Sequence, residues 1–260
     1  MPKDFHIAAL GSSFAAGPGI QPIANESAGR SQANYAHQLA TRIQASRPDL
    51  RVRLTDLTVS GATILNVLDE RQHAGDGTTF TPQLQGLPPT ADIVTFTCGG
   101  NDIGYIGGMM YDSDMASQGY AFDIEKPFVA AISQESLRKR MEKVADEVHR
   151  IAPNARLYLV QYLSIVGDGT STSPNIPLRP HELKLYENVA QMLAQTNDQA
   201  AQGRSWVEVV PVAELSRGHA VGSHEPWVHG YRSATPYHPN LEGHTAVAKM
   251  LFERVSKQSK

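Results

Sequence analysis

The sequence predicts a single α/β domain in which a parallel sheet of about five strands has helices on both faces. Short apolar runs alternate with longer helical patterns along most of the chain, as they do in consecutive β-α-β units. Hydrophobic residues make up 41% of the chain and charged residues 19%, which is enough apolar material for a substantial core. No repeat, low-complexity tract or linker divides residues 1–260, so we expect one domain.

Each predicted strand is a short apolar run, and each predicted helix carries apolar residues at three- and four-residue steps. In chain order the elements are a strand over Phe5–Leu10, a helix over Tyr35–Ser46, strands over Val52–Val59 and Asp92–Thr97, a helix over Leu137–Ile151, a strand over Arg156–Gln161, a helix over Leu183–Ala200, a strand over Trp206–Val210 and a helix over Leu241–Val255. Pro153 ends the second helix, and Asn240 is a suitable N-cap for the last one.

Two longer connections, Ile103–Pro127 and Leu163–Pro180, interrupt this alternation. In an open parallel sheet the ligand crevice lies at the carboxyl ends of the strands, where both connections emerge. We therefore expect them to form walls of a substrate pocket, although ordinary surface loops would leave the same pattern. The flexible or flat apolar side chains of the first connection are candidates for the apolar lining of this pocket: Met109, Met110, Tyr111 and Phe122.

A serine near the N-terminus and a histidine near the C-terminus suggest acyl transfer, because a hydroxyl is a poor nucleophile unless a neighbouring base takes its proton. The serine lies in Gly11-Ser12-Ser13, the histidine in His238-Pro239-Asn240, and between them stand Ser60-Gly61-Ala62-Thr63 and Gly99-Gly100-Asn101-Asp102. In chain order these four segments resemble the sequence blocks of the SGNH (GDSL-type) hydrolases, and the resemblance extends over essentially the whole chain. It implies a flavodoxin-like three-layer αβα fold and a cofactor-independent serine esterase or lipase-like hydrolase.

The family usually has Gly-Asp-Ser in its first block, so the resemblance implies that Ser13 is the nucleophile and that Ser12 replaces an Asp that braces the turn. It also implies three donors to the oxyanion of the reaction, namely the backbone N–H groups of Ser13 and Gly61 and the side-chain amide of Asn101. Gly61 and Asn101 follow the second and third predicted strands, so a parallel sheet brings both to the edge where Ser13 lies. We interpret Asp102 as a supporting or turn residue.

The resemblance implies that His238 is the base, because the Pro-Asn and Gly-His pairs of the family's last block follow it. The family usually has an Asp three residues before this His, and here that position is Thr235. We expect a dyad in which a backbone carbonyl at or near Thr235 accepts the Nδ1 proton and fixes the tautomer. The alternative is a carboxylate from elsewhere, with Glu225 and Glu214 the nearest upstream. We expect His244 to pack inside the last helix or to lie on its surface.

Composition and spacing exclude several classes of function. The formal net charge of -3 and the scattered basic residues give no footprint for a nucleic acid or an anionic membrane, which favours a neutral small molecule as the partner. The resemblance implies that this partner is a small-molecule or lipid-like ester. The single cysteine, Cys98, follows an apolar run and excludes an internal disulfide. Histidines crowd the last fifth of the chain without the spacing of a metal site, so we expect neither a metal nor a cofactor.

The compartment and two rival functions stay open. No apolar run could span a bilayer and no signal peptide precedes the first strand, which favours a soluble cytoplasmic protein, but a secreted mature form would have the same sequence. One rival is a flavodoxin-like module whose residues 11–19 cradle a phosphate, although no P-loop lysine or dinucleotide fingerprint accompanies them. The other is a hydrolase scaffold that has lost its activity and only binds.

Overall fold

The structure is a computed structural model that describes residues 2–119 and 132–258. The strands of these residues are β1 Lys3–Gly11, β2 Ile23–Asn25, β3 Arg30–Ser31, β4 Leu50–Asp56, β5 Gln72–His73, β6 Thr79–Phe80, β7 Ile93–Thr97, β8 Arg156–Val160 and β9 Val207–Val210. Five of them form one sheet in the order β4-β1-β7-β8-β9, and every neighbouring pair in it is parallel. The short pairs β2-β3 and β5-β6 are antiparallel. The predicted parallel sheet is thus confirmed.

The helices of the described residues are α1 Ser13–Ala16, α2 Tyr35–Ser46, α3 Ile64–Leu68, α4 Tyr105–Ser117, α5 Gln134–Ile151, α6 Pro180–Ala201, α7 Val212–Leu215 and α8 Leu241–Gln258. They flank the sheet in two groups, because α2 packs against α8 and β4 whereas α5 packs against α6 and α3. The chain therefore has the three-layer αβα fold that its sequence predicts. None of the helices in these ranges combines the length and the apolarity that a membrane-spanning segment needs.

The helix boundaries follow from caps and periodicity. The side chain of Asn34 accepts from the N–H groups of Ala36 and His37 and starts α2 at the predicted residue. Asn240 does the same for α8, accepting from the N–H of Gly243 at 2.8 Å. In α5 the apolar stripe predicted from the sequence is buried at Leu137, Met141, Val144 and Val148.

Two predicted boundaries are wrong. Much of the connection predicted over residues 103–127 is helix α4, because the burial of Tyr105, Ile106 and Met109 outweighs the cost of about 1 kcal/mol that each of its two glycines imposes on a helix. The strand predicted to end at Val59 ends at Asp56 instead. The carboxylate of Asp56 accepts from both the N–H and the hydroxyl of Thr58, which turns the chain out of the sheet.

The sheet brings three loops to one edge. Strand β1 lies between β4 and β7, and the residues that follow all three strands are joined by backbone hydrogen bonds. The N–H of Val59 donates to the carbonyl of Gly11 at 3.1 Å, and the N–H of Ser12 donates to the carbonyl of Thr97 at 2.9 Å. The segments that begin at Gly11, Val59 and Thr97 therefore share the carboxyl edge of the sheet, where ligand crevices form in such folds.

Candidate active site

Ser13 is the first residue of α1, directly after the turn that ends β1. Gly11 has a φ of 141°, and a Cβ on it would lie 2.4 Å from the carbonyl oxygen of Thr97, so only glycine fits this turn. The side-chain amide of Gln83 pairs with both backbone groups of Gly11, at 2.8 and 3.0 Å, and holds the turn from the other side. The serine is thus fixed at the carboxyl edge of the sheet, with only 5% of its surface exposed.

The hydroxyl of Ser13 lies 3.0 Å from Nε2 of His238. The other ring nitrogen, Nδ1, lies 2.9 Å from the carbonyl oxygen of Pro236. Because a carbonyl can only accept, Nδ1 carries the proton and Nε2 is free to accept the proton of the serine hydroxyl. Burial lowers the pKa of His238 below its ordinary value of 6.5, against the opposing effect of the Pro236 carbonyl. The ring is therefore neutral at neutral pH and ready to act as a base.

No carboxylate supports this histidine among the residues that the structure describes. The position three residues before it is Thr235, whose carbonyl accepts from the backbone N–H of His238 at 3.3 Å, while the carbonyl that meets Nδ1 belongs to the next residue, Pro236. The side chain of Glu225 is 75% exposed and approaches His224 instead. Glu214 lies on α7 and has no hydrogen bond to the His238 ring.

The loop that carries His238 is tied both to itself and to α4. Backbone hydrogen bonds run from the N–H of His229 to the carbonyl of His238 and from the N–H of Tyr237 to the carbonyl of His229, at 2.8 and 3.1 Å. Tyr237 is fully buried and has a φ of 62°, which is unusual for a residue other than glycine. Its hydroxyl meets the Ser113 hydroxyl at 2.5 Å. The loop is thus held rigidly enough to fix the histidine ring.

Two backbone N–H groups at this edge are available to a ligand. Within the described ranges, the N–H groups of Ser13 and Gly61 donate to no other residue. Gly61 has a φ of 82°, a left-handed conformation that turns the chain between β4 and α3. The side-chain amide of Asn101 donates to the carbonyl of Ala62 at 2.9 Å, which places it beside the Gly61 turn. An amide nitrogen carries two protons, so a second one remains for a ligand.

Asp102 joins the Asn101 segment to the start of α3. Its carboxylate accepts from the N–H of Ile64 at 2.9 Å and from Nη1 of Arg140 at 2.8 Å, and its side chain is fully buried. Burial raises the pKa of Asp102, although these two donors oppose the shift. Asp102 is thus a supporting residue that holds the Gly61 and Asn101 turns together. The sequence contains no motif that would identify Arg140 as its partner.

The other residues singled out in the sequence are spread around the site. Met109 is fully buried, whereas Met110 and Tyr111 on the same helix are half-buried. Phe122 lies outside the described residues. The thiol of Cys98 is buried, and burial raises its pKa well above the ordinary value.

The histidines near the C-terminus have separate environments. His219 stacks on Trp227 with ring centroids 3.8 Å apart, and the side chain of His224 is 98% exposed. His244 is buried in α8, where its Nδ1 accepts from the N–H of Tyr35 at 3.1 Å. In residues 2–119 and 132–258, no three His, Cys, Asp or Glu side chains gather as a metal site would require.

Comparison with known proteins points to one family. The sequence profile of the GDSL-like lipase/acylhydrolase family matches residues 9–246. Lipase 2 of Streptomyces coelicolor is 29% identical over 264 residues, which span 93% of this chain and 82% of that protein.

Two solved structures share the fold over nearly the whole of both chains. The extracellular lipase of Streptomyces rimosus has a TM-score of 0.71 at 22% identity, over 96% of this chain and 99% of that one. Phospholipase A1 of Streptomyces albidoflavus has a TM-score of 0.72 at 20% identity, over 96% and 98%.

Proposed function

The chain belongs to the GDSL-like lipase/acylhydrolase family and is a carboxylic ester hydrolase, and from this premise we propose that it works through an acyl-enzyme formed on Ser13, with His238 as the base. The observation that carries the proposal is the hydrogen bond of 3.0 Å between the Ser13 hydroxyl and Nε2 of His238. Nδ1 of the same ring donates to the carbonyl of Pro236. In this arrangement Nε2 of His238 is the acceptor for the proton of the Ser13 hydroxyl.

The reaction has two halves. As the Ser13 oxygen attacks the ester carbonyl carbon, its proton passes to Nε2 of His238 and a tetrahedral oxyanion forms. The oxyanion collapses, the carbon–oxygen bond of the ester breaks, and the leaving alkoxide takes the proton from His238. Water then gives a proton to the same nitrogen and attacks the acyl-enzyme, and collapse of the second oxyanion releases the acid and returns the proton to Ser13. An alcohol in place of water would give acyl transfer.

The oxyanion is stabilised by the two free N–H groups, of Ser13 and Gly61, and by the amide of Asn101. Removal of one such donor typically costs about 3 kcal/mol of transition-state stabilisation. All three are anchored before substrate arrives, Gly61 and Asn101 through the carbonyl of Ala62 and the carboxylate of Asp102. A preorganised site of this kind needs no reorganisation at the moment when charge develops.

The base operates as a dyad. The carbonyl of Pro236 fixes the neutral tautomer of His238 but, lacking a full charge, stabilises the imidazolium less than a carboxylate does. Burial of the ring without a charged partner lowers its pKa, so the base stays neutral into mildly acidic solution.

The substrate is a small or lipid-like carboxylic ester. The half-buried Met110 and Tyr111 on α4 follow directly after the Asn101 segment, and we place the acyl chain against them. The names of the relatives, two lipases and a phospholipase A1, support an ester with an acyl chain as the substrate class.

Labelling with a fluorophosphonate probe tests the proposal, because only an activated serine reacts quickly with it. The wild type should be labelled on Ser13, as located by peptide mapping, and should hydrolyse p-nitrophenyl esters. Ser13→Ala should lose both properties, whereas the neighbour variant Ser12→Ala, which keeps the nucleophile, should still be labelled on Ser13 at a rate reduced by no more than about tenfold. A wild type that is folded but unlabelled would identify a scaffold that only binds. A labelled Ser13→Ala would place the nucleophile elsewhere.

A further inference from the structure

The hydroxyl of Tyr162 connects the nucleophile turn to the Asn101 segment. Tyr162 lies two residues beyond the end of β8, and only 4% of its surface is exposed. Its oxygen is 3.2 Å from the Ser12 hydroxyl and 3.0 Å from the backbone nitrogen of Gly100. These contacts reach the residue before the proposed nucleophile and the residue before the proposed Asn101 donor.

The hydroxyl of Tyr162 takes part in two hydrogen bonds. The N–H of Gly100 can only donate, so the oxygen of Tyr162 accepts it. In the bond between Tyr162 and Ser12 either hydroxyl can donate, and the Ser12 oxygen also lies 3.5 Å from the carbonyl oxygen of Thr97. Burial raises the pKa of Tyr162, with the nearby Cys98 adding to the shift, so the phenol keeps its proton across the working range of pH.

The residues around Tyr162 allow its hydroxyl to lie close to the backbone of Gly100. A Cβ on Gly100 would lie 2.8 Å from the Tyr162 oxygen, so only a glycine admits the hydroxyl here. The ring packs on Phe14, one residue after Ser13, with centroids 4.5 Å apart. Phe14 in turn lies 5.7 Å from the His238 ring. Tyr162 therefore contacts Ser12 and Phe14, which flank Ser13, and Gly100, which precedes Asn101. It is linked to the His238 ring only through Phe14.

We propose that Tyr162 is a positioning residue that sets the spacing between the Ser13 N–H and the Asn101 amide. The proposal rests on the proposed function. Ser12 has a short, uncharged side chain, and its hydroxyl bonds to the phenol of Tyr162, which follows β8. Strand β7 lies between β1 and β8 in the sheet, and the phenol also bonds to Gly100 after β7, so it braces the Ser12 turn and the residue before the oxyanion amide together.

Tyr162→Phe tests this, because it keeps the ring and removes only the hydroxyl. We expect kcat to fall about five- to tenfold, the size of effect that one buried hydrogen bond usually has, while KM changes less than twofold. The matched control is Tyr105→Phe. Tyr105 is equally buried and packs on Tyr162 with centroids 6.2 Å apart, but its hydroxyl has no hydrogen-bond partner in the described residues. That variant should keep the wild-type kcat.

A readout specific to positioning is the affinity for a trifluoromethyl ketone, which forms a tetrahedral adduct on the serine. Its inhibition constant should rise in Tyr162→Phe by the same factor as kcat/KM falls, since both depend on the oxyanion site. Ser12→Ala removes the hydroxyl that is bonded to Tyr162 and should show a parallel loss. The double variant Ser12→Ala/Tyr162→Phe should lose no more than about the larger single loss, because the two hydroxyls act as one unit.

Unchanged kcat and inhibition constant in a folded Tyr162→Phe would overturn the proposal, as would an equal loss in Tyr105→Phe. If Tyr162→Phe does not fold, Ser12→Ala carries the test, and wild-type values in that variant would overturn it. Fluorophosphonate labelling separates this failure from failure of the proposed function. If the wild type is labelled on Ser13 and Tyr162→Phe keeps the wild-type rate, the positioning role of Tyr162 is refuted and the proposed function stands. If Ser13 of the wild type is not labelled, the proposed function is itself refuted.

Discussion

His244 should make the protein lose stability in mild acid. Its ring is fully buried next to Tyr35, and its Nδ1 accepts the N–H of Tyr35, the first residue of α2. The next two N–H groups of that helix are accepted by Asn34, so His244 completes the cap. A protonated ring would lose this acceptor and leave a buried charge. Burial accordingly lowers the pKa of His244 from 6.5 to about 3.

The size of the effect follows from the difference between the two pKa values. Between pH 6.5 and about 3 the unfolded chain binds a proton at His244 that the folded chain does not, so stability falls as the pH falls through this range. At pH 5 the loss from this residue is about 2 kcal/mol, since each of the roughly 1.5 pH units below 6.5 is worth about 1.4 kcal/mol.

Urea unfolding at pH 7 and pH 5 measures this loss. The variant His244→Asn places an amide oxygen where Nδ1 lies, so the Tyr35 N–H keeps an acceptor that does not titrate. The variant should lose about 2 kcal/mol less than the wild type between the two pH values, whatever its stability at pH 7. His224→Asn, at a side chain that is 98% exposed, should match the wild type. An equal loss in the wild type and in His244→Asn would refute the assignment of a neutral capping role to His244.

The site leads to four further expectations. Glu214→Gln and Glu225→Gln should each keep ester hydrolysis within a few-fold, whereas loss of a triad carboxylate costs about 10⁴-fold in kcat; such a loss in a folded variant would contradict the dyad. On its acidic side, kcat/KM should fall with an apparent pKa below 6.5, because burial lowers the pKa of His238 and only the neutral ring accepts a proton. An apparent pKa above 6.5 would indicate a negatively charged group beside the ring and contradict the dyad. Asp102→Asn should lower kcat, and it should lower the free energy of unfolding measured in urea by about 1–3 kcal/mol, because the buried partner of Arg140 loses its charge. Wild-type values for both quantities would show that Asp102 does not support the site. Met110→Gln should alter the preference among acetyl to octanoyl esters more than stability, and an unaltered preference would place the acyl pocket elsewhere.

Strong periodicity and turn chemistry are enough to locate the elements of this fold from sequence. Helix α2 begins and ends at the predicted residues because Asn34 caps an unbroken amphipathic pattern. Helix α4 is missed because its two glycines suggest a loop, while the burial that stabilises it depends on distant partners in α6. Local pattern predicts local structure well, and it fails where tertiary packing outweighs propensity.

The meeting of Ser13 and His238 could be predicted because each stands in a short segment that resembles a sequence block of the family. The groups that hold them have no such signal. Gln83, Arg140 and Tyr162 reach the site from a short turn, a helix and a strand end that are far apart in sequence. Each of these residue types is common in cores and on surfaces, so only the fold shows which one is in contact with the site.

The backbone carbonyl that orients His238 depends on the conformation of one residue, Tyr237, which no sequence pattern reveals. Pro236 and His238 are two positions apart, and the carbonyl of the first meets Nδ1 of the second across a residue with a φ of 62°. A left-handed conformation costs a residue with a side chain about 1–2 kcal/mol. The buried Tyr237 ring, its hydrogen bond to Ser113 and its backbone bond to His229 hold it there. A triad aligns its base through a charged side chain, whereas here the packing of Tyr237 against α4 does so, and the alignment of His238 is therefore coupled to the helix that follows the Asn101 segment.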